Sequence, residues 1–485
     1  MGRKEQIVSE RIRKLKELED QNINPYPSKF DKKDDCLKCT NTKLGTKVKT
    51  SGRIITKRDI GKIIFSNLKD GEGEIQIVLQ ESKTPDKIRD FFKKYIDIGD
   101  FVGVEGEIFK TKTGQKSVLI KKVEILSKAI LPLPEKRKGL QDEEEIYRKR
   151  YLDILMNDDV KEMFIKKSKF WNVMRNFLLE KGFIEVETPV LETSAGGAAA
   201  KPFITHHNAL DIDVYLRISM GELWQKKLMV AGFEKTFEIG RQFRNEGMDM
   251  EHLQDYTQME FYWSYVNYEE GMKLVEEMYK KIAKDVFGKL NFEIHGHKVD
   301  FGKKWERYDF EKTIKKHTGV LIYESDKEKI MKKLRELKID FDPNLDKWRL
   351  VDLLWKYCRK KITGPGFLIG QPVELSPLAK RDPKDSRKVE RFQVMIAGSE
   401  VGNGYSELND PIDQEKRFEE QMKNKDAGDE ESMDHDKSFV EALQYGMPPT
   451  CGFGVSERLF WFFMNKPGRE CVIFPLMKPE EENKK

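Results

Sequence analysis

One stretch of the chain, from Phe237 to Trp263, constrains the fold more than any other. It reads FEIGRQFRNEGMDMEHLQDYTQMEFYW, which is an alternating strand pattern, a loop rich in Met, Asp, Glu and His, and a second run of aromatic and β-favouring residues. The pattern predicts a long antiparallel hairpin. Charged residues stand where burial is expected, namely Arg244, Glu246 and Glu260. A buried charge is costly unless it is paired or bound to a ligand, so we interpret the hairpin as part of a binding site.

Length and charge bound the class of protein. At 485 residues the chain is too long for one ordinary core, and at least two domains are expected. A net charge of +5, from 89 Lys and Arg against 84 Asp and Glu, neither requires nor excludes a nucleic-acid partner. No apolar run reaches the roughly 18–20 residues that span a bilayer, and the charged N-terminus is not a secretory signal, so no membrane association is expected.

Cysteine usage indicates a reducing compartment. Five cysteines in a chain of this length do not form a disulfide framework, and a cytoplasmic location is expected. Cys36 and Cys39 form a CxxC pair. Such a pair is either half of a zinc site or simply two thiols, and the pattern alone leaves both interpretations open.

The first third of the chain predicts a small barrel. An amphipathic basic helix from Glu5 to about Gln21 is either a surface helix or a contact to a nucleic-acid backbone, and residues 22–46 are predicted as loop. Five short strands between Lys47 and Ile125, with one helix at residues 84–95 after the third, predict a Greek-key barrel of the oligonucleotide-binding type. Basic residues interleaved with Phe65 suit single-stranded RNA, although composition alone equally allows a plain barrel.

The remainder predicts a second, larger domain. Residues 129–150 form a charged, proline-containing linker, followed by an amphipathic helix at 159–182 and a strand ending at Pro189. A helical insertion is predicted between about His295 and Arg359. The segment RFQVMIAGSEVGNGYSELNDP then alternates so that one set of side chains shares a cleft, namely Gln393, Glu400, Asn403, Tyr405 and Glu407.

These segments together resemble the class II aminoacyl-tRNA synthetases, and specifically the lysyl-tRNA synthetases, from about residue 11 to 479. The helix and strand before Pro189 resemble motif 1, FRNEG followed by MEFY resembles motif 2, and PPTCGFGVSERLFWFF resembles motif 3. The resemblance implies an α+β protein in which an N-terminal five-stranded OB-fold barrel precedes a class II catalytic domain, an antiparallel sheet flanked by helices. The implied domains are residues 1–128, a linker at 129–150 and the catalytic domain at 151–485. Motif 1 implies a homodimer.

The resemblance also implies a role for individual residues of this sequence. The catalytic residues would be Arg244 and Arg458. ATP would be bound by Arg244, Glu246, His252, Tyr256, Glu400 and Arg458. Lysine would be bound by Gly197, Glu222, Glu260, Tyr262, Asn403, Tyr405 and Glu407. The anticodon of tRNA(Lys) would be bound by Arg53, Phe65 and Gln76, and Mg²⁺ by Glu400 and Glu407.

The implied reaction is activation of L-lysine by ATP and transfer to the 3′ end of tRNA. An ionised carboxylate attacks the α-phosphorus, so cations and in-line placement are needed and a general base is not. Three acids would meet the two ammonium groups of lysine. The first of two carboxylates expected at the metal is replaced by Gln393, which predicts a weaker or differently ligated Mg²⁺ because a neutral amide is a poorer partner for this ion.

Two other functions share part of this pattern. An aspartyl- or asparaginyl-type synthetase would need a cation to receive the substrate side chain, where this sequence supplies acids. A non-catalytic tRNA-binding paralogue would be expected to lose site residues, yet Arg244, Glu246, Glu400 and Arg458 are all present.

Overall fold

The structure is a computed structural model that describes residues 2–134, 140, 142–194, 196–197, 200–245, 247, 252–426 and 436–480. The chain divides into two compact units, Met1–Met156 and Asn157–Lys485. The finer domain boundaries given above remain predictions. Among the helices described, none is both long and apolar enough to cross a membrane.

The first unit contains five helices and five strands within the residues described. In chain order they are α1 (Arg3–Asp20), α2 (Cys36–Asn41), β1 (Lys47–Asp59), β2 (Ile63–Lys69), β3 (Glu74–Gln80), α3 (Asp86–Tyr95), β4 (Phe101–Lys110), β5 (Lys116–Ser127), α4 (Glu143–Arg148) and α5 (Arg150–Met156).

The five strands close into a barrel in the order β1-β2-β3-β5-β4, in which β3 and β5 run parallel and the other neighbours antiparallel. Strand β2 alternates half-buried and buried residues, so that Ile64 and Leu68 point into the core. The single helix after the third strand is α3. The predicted OB-fold barrel is therefore confirmed.

One helix lies inside the segment that was predicted as loop. Helix α2 begins after Asp35, whose side chain accepts a hydrogen bond from the backbone N–H of Lys38. Cys36 and Cys39 are one turn apart on this helix and are completely buried in the barrel core. The prediction of a loop was wrong there because a six-residue helix is too short to give a periodic signal and is held by its cap and its burial. Burial raises the pKa of both thiols, to about 12 and about 11 respectively.

The second unit is built around one large sheet. Its helices of more than one turn are α6 (Asp158–Glu180), α7 (Glu222–Val230), α8 (Tyr268–Phe287), α9 (Phe310–Thr318), α10 (Lys327–Glu336), α11 (Lys347–Arg359), α12 (Pro411–Asp426), α13 (Lys437–Gln444) and α14 (Arg458–Met464). Its strands are β6 (Ile184–Glu185), β7 (Leu191–Glu192), β8 (Ile204–His207), β9 (Ile212–Leu216), β10 (Lys235–Phe243), β11 (Asp255–Ser264), β12 (Asn291–Ile294), β13 (His297–Asp300), β14 (Glu306–Asp309), β15 (Gly366–Ile369), β16 (Arg391–Ile396), β17 (Ser399–Ser406) and β18 (Thr450–Ser456).

Eight of these strands form the sheet, in the order β14-β15-β16-β17-β18-β11-β10-β6. The central pairs are antiparallel, and the two edge strands β14 and β6 each run parallel to their neighbour. Helices α6, α8 and α14 contribute to the core on one face. The predicted antiparallel sheet flanked by helices is confirmed.

The predicted hairpin at residues 237–263 is present as β10 and β11, paired from Lys235 with Trp263 to Phe243 with Asp255. The predicted insertion is also helical, as α9, α10 and α11. The predicted strand ending at Pro189 is much shorter than expected, because β6 comprises only Ile184 and Glu185. Val186 continues the pairing by a single hydrogen bond from its N–H to the carbonyl of Phe237.

Candidate active site

The floor of the site is built by two rows of residues that run across five strands. The first, here called the acid row, consists in order of Gln393, Asn403, Gly454, Glu260 and Glu238. The second, the tyrosine row, consists of Arg391, Tyr405, Gly452, Tyr262 and Thr236. Residues paired across antiparallel strands share a face, and residues two apart along a strand share it too, so both rows lie on one face of the sheet.

The intervening residues face the opposite way and form the core. They include Phe237, Phe261, Phe453 and Phe392, which are at most 2% exposed. The rings of Phe392 and Phe453 are stacked with centroids 5.7 Å apart. Alternation in these strands thus separates a phenylalanine-lined core from a polar surface that faces the cavity.

Two glycines open the centre of that surface. A Cβ atom at Gly452 would lie 2.7 Å from the ring of Tyr262 and would collide with the carboxylate of Glu407, and one at Gly454 would lie 3.0 Å from Cγ of Glu260. Because only hydrogen fits at these positions, the backbone of β18 forms the floor between the flanking side chains.

Glu260 is held in this floor by three donors. Its Oε1 accepts hydrogen bonds from the Gln258 amide at 2.6 Å and the Met220 N–H at 3.3 Å, and its Oε2 accepts one from the Tyr262 hydroxyl at 3.0 Å. Burial, together with the charge of Glu222, raises the pKa of Glu260 to about 7. A carboxyl with this pKa gains from the arrival of a cation.

Glu222 enters the site from above, as the first residue of α7. The chain turns into the helix at Gly221, whose φ of 65° is in the left-handed region and whose Cβ, if present, would lie 2.8 Å from the Cβ of Thr188. The Glu222 carboxylate accepts hydrogen bonds from Tyr405 and from Lys226. Glu407, directly after β17, also contacts Lys226, and burial raises its pKa while Lys226 opposes the increase.

Arg244 stands at the other end of the site, immediately after β10. Its backbone N–H donates to the carbonyl of Gln254 at 2.7 Å, which closes the base of the hairpin loop. Its guanidinium lies 5.8 Å from the centre of the Tyr256 ring. The buried Nε atom of Arg244 has no hydrogen-bond acceptor among the residues that the structure describes. A guanidinium whose buried Nε lacks an acceptor among the described residues is suited to an anionic ligand.

The carboxylate predicted to bind Mg²⁺, Glu400, already has hydrogen-bond donors. Its Oε1 accepts from the indole N–H of Trp355 at 2.6 Å and lies 3.2 Å from the Arg359 guanidinium, while its Oε2 accepts from the Gln393 amide at 3.2 Å. Glu407 lies seven residues further on, roughly 20 Å away along an extended strand, so one ion cannot contact both acids as predicted.

This donor set does not fit a protein-held divalent cation. Such an ion prefers several oxygen ligands with carboxylates among them, whereas Glu400 is surrounded by three N–H donors and Gln393 turns its amide nitrogen inward. Within the described ranges, no three His, Cys, Asp or Glu side chains are grouped so that they could hold a metal ion.

The predicted substrate residues that the structure describes all line one cavity of about 920 Å³. They are Gly197, Glu222, Arg244, His252, Tyr256, Glu260, Tyr262, Glu400, Asn403, Tyr405, Glu407 and Arg458. Glu246 lies outside the described residues. The volume of this cavity is at the upper end of the range for ligand sites. Residues of the hairpin and of the segment from Gln393 to Glu407 line it together, as the sequence predicted.

The three predicted anticodon residues share one outer face of the barrel. Phe65 and Asn67 are on the same side of β2, Gln76 is paired with Asn67, and Arg53 is paired with Lys69 two residues further along that strand. The guanidinium of Arg53 lies 4.2 Å from the centre of the Phe101 ring. Gln76 accepts a hydrogen bond from the Ser117 hydroxyl at 2.8 Å.

Several residues of the site were not singled out from the sequence. Lys226 contacts two of the acids, Arg391 donates to Asn403 at 2.8 Å, and Trp355 and Arg359 contact Glu400. Only Lys226 carried a local signal, since it follows Glu222 at the i, i+4 spacing of a helical ion pair. The others meet their partners through sheet pairing or from a separate helix.

Comparison with known proteins agrees with this architecture. A family model described as tRNA synthetases class II (D, K and N) matches residues 142–478, and one described as OB-fold nucleic acid binding domain matches residues 48–126. The fold, the cavity and these matches define a class II tRNA synthetase with an N-terminal OB-fold.

Curated relatives narrow the class. The lysine–tRNA ligase of Thermosipho africanus is 42% identical over 98% of this chain and 97% of its own length. Those of Thermotoga maritima (42%, 98% and 97%) and Fervidobacterium nodosum (42%, 97% and 94%) are similar over comparable spans. The chain belongs to the lysine–tRNA ligase family, which is ATP-dependent and generally uses Mg²⁺. Its activity is that of an aminoacyl-tRNA ligase, and tRNA, ATP and lysine are the partners this implies.

Proposed function

We propose that the cavity activates L-lysine with ATP, with the amino acid bound over the glycine floor and the α-phosphate at Arg244. The observation that carries the proposal is the polarity of the cavity. Three acids, Glu222, Glu260 and Glu407, are grouped over the floor. Arg244 lies in the same cavity, and its Nε has no acceptor among the residues described. A dicationic amino acid with one carboxylate, together with a polyphosphate, matches that distribution of charge.

In this arrangement the side chains act by placement and charge. The substrate carboxylate is already an anion, so it attacks the α-phosphorus without a general base. Arg244 would donate to the substrate carboxylate and to the α-phosphate, offsetting charge as the pentavalent transition state forms. His252 would contact the outer phosphates, Glu246 the adenine edge, and Tyr256 and Arg458 the two faces of the adenine ring.

Lysine recognition would divide the acids between its two ammonium groups. Glu222 would receive the α-amine, and Glu260 and Glu407 the ε-amine, with Tyr262 and Asn403 adding neutral contacts. The Tyr405 ring would pack on the aliphatic stem, and Gly197 would complete the wall. The side-chain carboxylate of aspartate would lie against Glu260 and Glu407, two buried acids. Like charges repel at such a site, which disfavours the aspartyl-type alternative.

Mg²⁺ is proposed as the ion that accompanies ATP, held chiefly by the phosphates. The protein itself is not proposed to hold the ion, because the N–H donors around Glu400 do not fit a divalent cation. Arg359, whose guanidinium is 3.2 Å from Glu400, is the cation that this chain itself supplies there.

Replacing Gln393 by Glu is expected to create a divalent-cation site. Two carboxylates would then stand where the present amide nitrogen and Glu400 are 3.2 Å apart. Their repulsion favours a cation between them, so the Mg²⁺ concentration for half-maximal activity should fall. Mn²⁺ binding without nucleotide, followed by electron paramagnetic resonance, is the direct measurement. Gln115→Glu on an exposed barrel turn is the matched control, and unchanged Mn²⁺ binding in Gln393→Glu would contradict the expectation.

The barrel is proposed to bind the anticodon of tRNA(Lys), with a base stacked on Phe65 and flanking contacts from Arg53 and Gln76. Support comes from their common outer face and from the partial exposure of Phe65, which is half-buried. Stacking on an aromatic ring contributes about 1–3 kcal/mol per base.

Phe65→Ala should therefore raise the KM for tRNA roughly tenfold or more and leave lysine-dependent ATP–pyrophosphate exchange unchanged. Aminoacylation of tRNA(Lys) transcript and pyrophosphate exchange, measured on the same preparation, separate the two steps. Leu44→Ala, at another exposed apolar residue of the unit, should change neither. An equal loss in both assays for Phe65→Ala would show damage to the protein and would count against the anticodon role.

A homodimer formed through the motif 1 region and a cytoplasmic location complete the proposal. The apolar side chains of Ile184, Val190 and Leu191 in this region are each at least 42% exposed in the single chain, which supports a partner surface. Analytical ultracentrifugation tests the dimer.

The proposed activation is tested by pyrophosphate exchange with lysine, ornithine and aspartate supplied separately. Exchange is expected with lysine and not with aspartate. Absence of exchange with every amino acid, from folded protein with Mg²⁺ present, would overturn the proposed roles of the cavity residues.

A further inference from the structure

Lys226, in the middle of α7, is a buried cation inside the acid cluster. Its side chain is 1% exposed, and its Nζ lies 3.0 Å from Oε1 of Glu222 and 2.7 Å from Oε2 of Glu407. Burial lowers the pKa of Lys226, but the charges of Glu222 and Glu407 outweigh that effect and the net change is upward. The residue is therefore an ammonium ion held by two carboxylates.

The surroundings of this ammonium are of the kind that a bound lysine requires. The Tyr405 and Phe439 rings each lie 5.5 Å from Nζ, measured to the ring centre. Aromatic walls and paired carboxylates are the elements by which proteins recognise alkylammonium groups. Lys226 and the proposed substrate thus share two carboxylates, Glu222 and Glu407, and one aromatic wall, Tyr405.

Packing alone does not explain a lysine at this position. The helix that carries it contributes Leu223 and Met229 to a cluster of buried apolar residues that also includes Phe439 and Leu443. Buried ion pairs are often replaceable by apolar side chains of similar volume without loss of stability, so a methionine would serve packing as well. What methionine cannot supply is a positive charge between the two acids.

The positive charge of Lys226 matters for the net charge of the acid cluster. When all four groups are ionised, Glu222, Glu260 and Glu407 carry three negative charges, and Lys226 reduces the net negative charge of these four side chains to two. Two is the number of ammonium groups on a lysine substrate. Charges that match in number let a buried site bind its ligand without leaving an uncompensated ion.

We propose that Lys226 is a positioning and specificity residue for lysine, which fixes Glu222 and Glu407 in place and sets the charge of the amino-acid pocket to match a dication. The inference rests on the proposed roles of Glu222 and Glu407 as lysine ligands. Without Lys226, the two acids would repel each other and move apart or take up a proton, and both ammonium sites would lose their geometry.

The test compares Lys226→Met, Lys226→Arg and Lys227→Met, each as purified full-length protein, in pyrophosphate exchange. Lys226→Met should raise the KM for lysine roughly 30-fold or more, the effect of removing one partner of a buried charge pair, and leave the KM for ATP within twofold. Lys227→Met makes the same change at the next residue of α7, where the amine contacts the Ser438 hydroxyl instead, and should leave both constants unchanged.

The ranking of the two Lys226 variants separates charge from packing. Methionine retains the length of the side chain and loses its charge, whereas arginine retains the charge in a bulkier group. If the charge of Lys226 determines lysine affinity, the Lys226→Arg protein should bind lysine more tightly than the Lys226→Met protein. Lys226→Ala adds a second readout, because methylamine supplied in solution should restore part of the lost lysine affinity.

Three outcomes would overturn the proposal. The first is an unchanged KM for lysine in folded Lys226→Met. The second is a lower KM for lysine in the Met variant than in the Arg variant. The third is a loss of stability with a parallel increase in the KM values for lysine and ATP that methylamine does not reverse. Wild-type protein with lysine is the reference in every assay. Its failure to exchange would count against the proposed function itself, and a normal wild type with any of the three outcomes would count against Lys226 alone.

Discussion

Replacing Arg244 by Met is expected to lower the rate of lysine-dependent ATP–pyrophosphate exchange roughly 10³-fold, the upper range for loss of one donor at a developing charge. The buried Nε has no acceptor within the described part of the chain, which indicates a side chain that completes its hydrogen bonds only with a ligand. Since the negative charge grows at the α-phosphorus during attack, the missing guanidinium should affect kcat more than the KM for lysine.

The matched control is Arg241→Met, on β10 three residues before Arg244. The Arg241 side chain is 43% exposed and pairs with Asp255 across the hairpin, outside the cavity lining. Its loss should change the rate less than threefold, because exposed ion pairs contribute only about 0–1 kcal/mol. Lysine-dependent exchange within tenfold of wild type in Arg244→Met would refute the proposed contact with the α-phosphate.

Replacing Glu260 by Gln is expected to raise the KM for lysine roughly 10²-fold while the KM for ATP stays the same. The substitution keeps the shape of the side chain and removes the charge that would face the ε-ammonium group. It also places an NH₂ group where three donors now converge, so the new amide would lack acceptors at a site that is 5% exposed. Norleucine lacks the ε-ammonium group, so its affinity should differ little between the wild type and Glu260→Gln.

The same residue predicts a pH dependence with a defined sign. Burial and the charge of Glu222 raise the pKa of Glu260 to about 7, and the ammonium of lysine would pair with the ionised form. The KM for lysine in the wild type should therefore rise as the pH falls below about 7, because a proton must first leave. Glu260→Gln should lose this component of the pH profile, and Glu277→Gln on the exposed side of α8 should retain it. A wild-type KM that is flat between pH 6 and 8 would contradict the assignment.

The hairpin and the floor of the site were accessible from sequence because both depend on local periodicity. Alternation in β11 and β17 places Glu260, Tyr262, Asn403 and Tyr405 on one face, and this face follows once the strands are recognised. The resemblance to a family then connected segments that lie more than 100 residues apart, which periodicity cannot do.

The contacts around Glu400 and Lys226 could not be predicted from local periodicity. Trp355 and Arg359 come from α11, and no local pattern tells which strand that helix covers. Lys226 looks like an ordinary helical ion-pair residue until its burial is known. A six-residue helix such as α2 is also missed by periodicity, since it is decided by the cap at Asp35 and by two buried thiols.

The glycines of β18 have a consequence for the range of amino acids that this pocket can be made to accept. At Gly452 and Gly454 the inner surface of the pocket is main chain, and main chain cannot be trimmed by substitution. Any replacement there adds atoms, so the depth of the pocket cannot be increased at these positions, and at Gly452 even a methyl group would collide with Glu407 and Tyr262. Variants that admit longer side chains must therefore come from the walls, such as Tyr405.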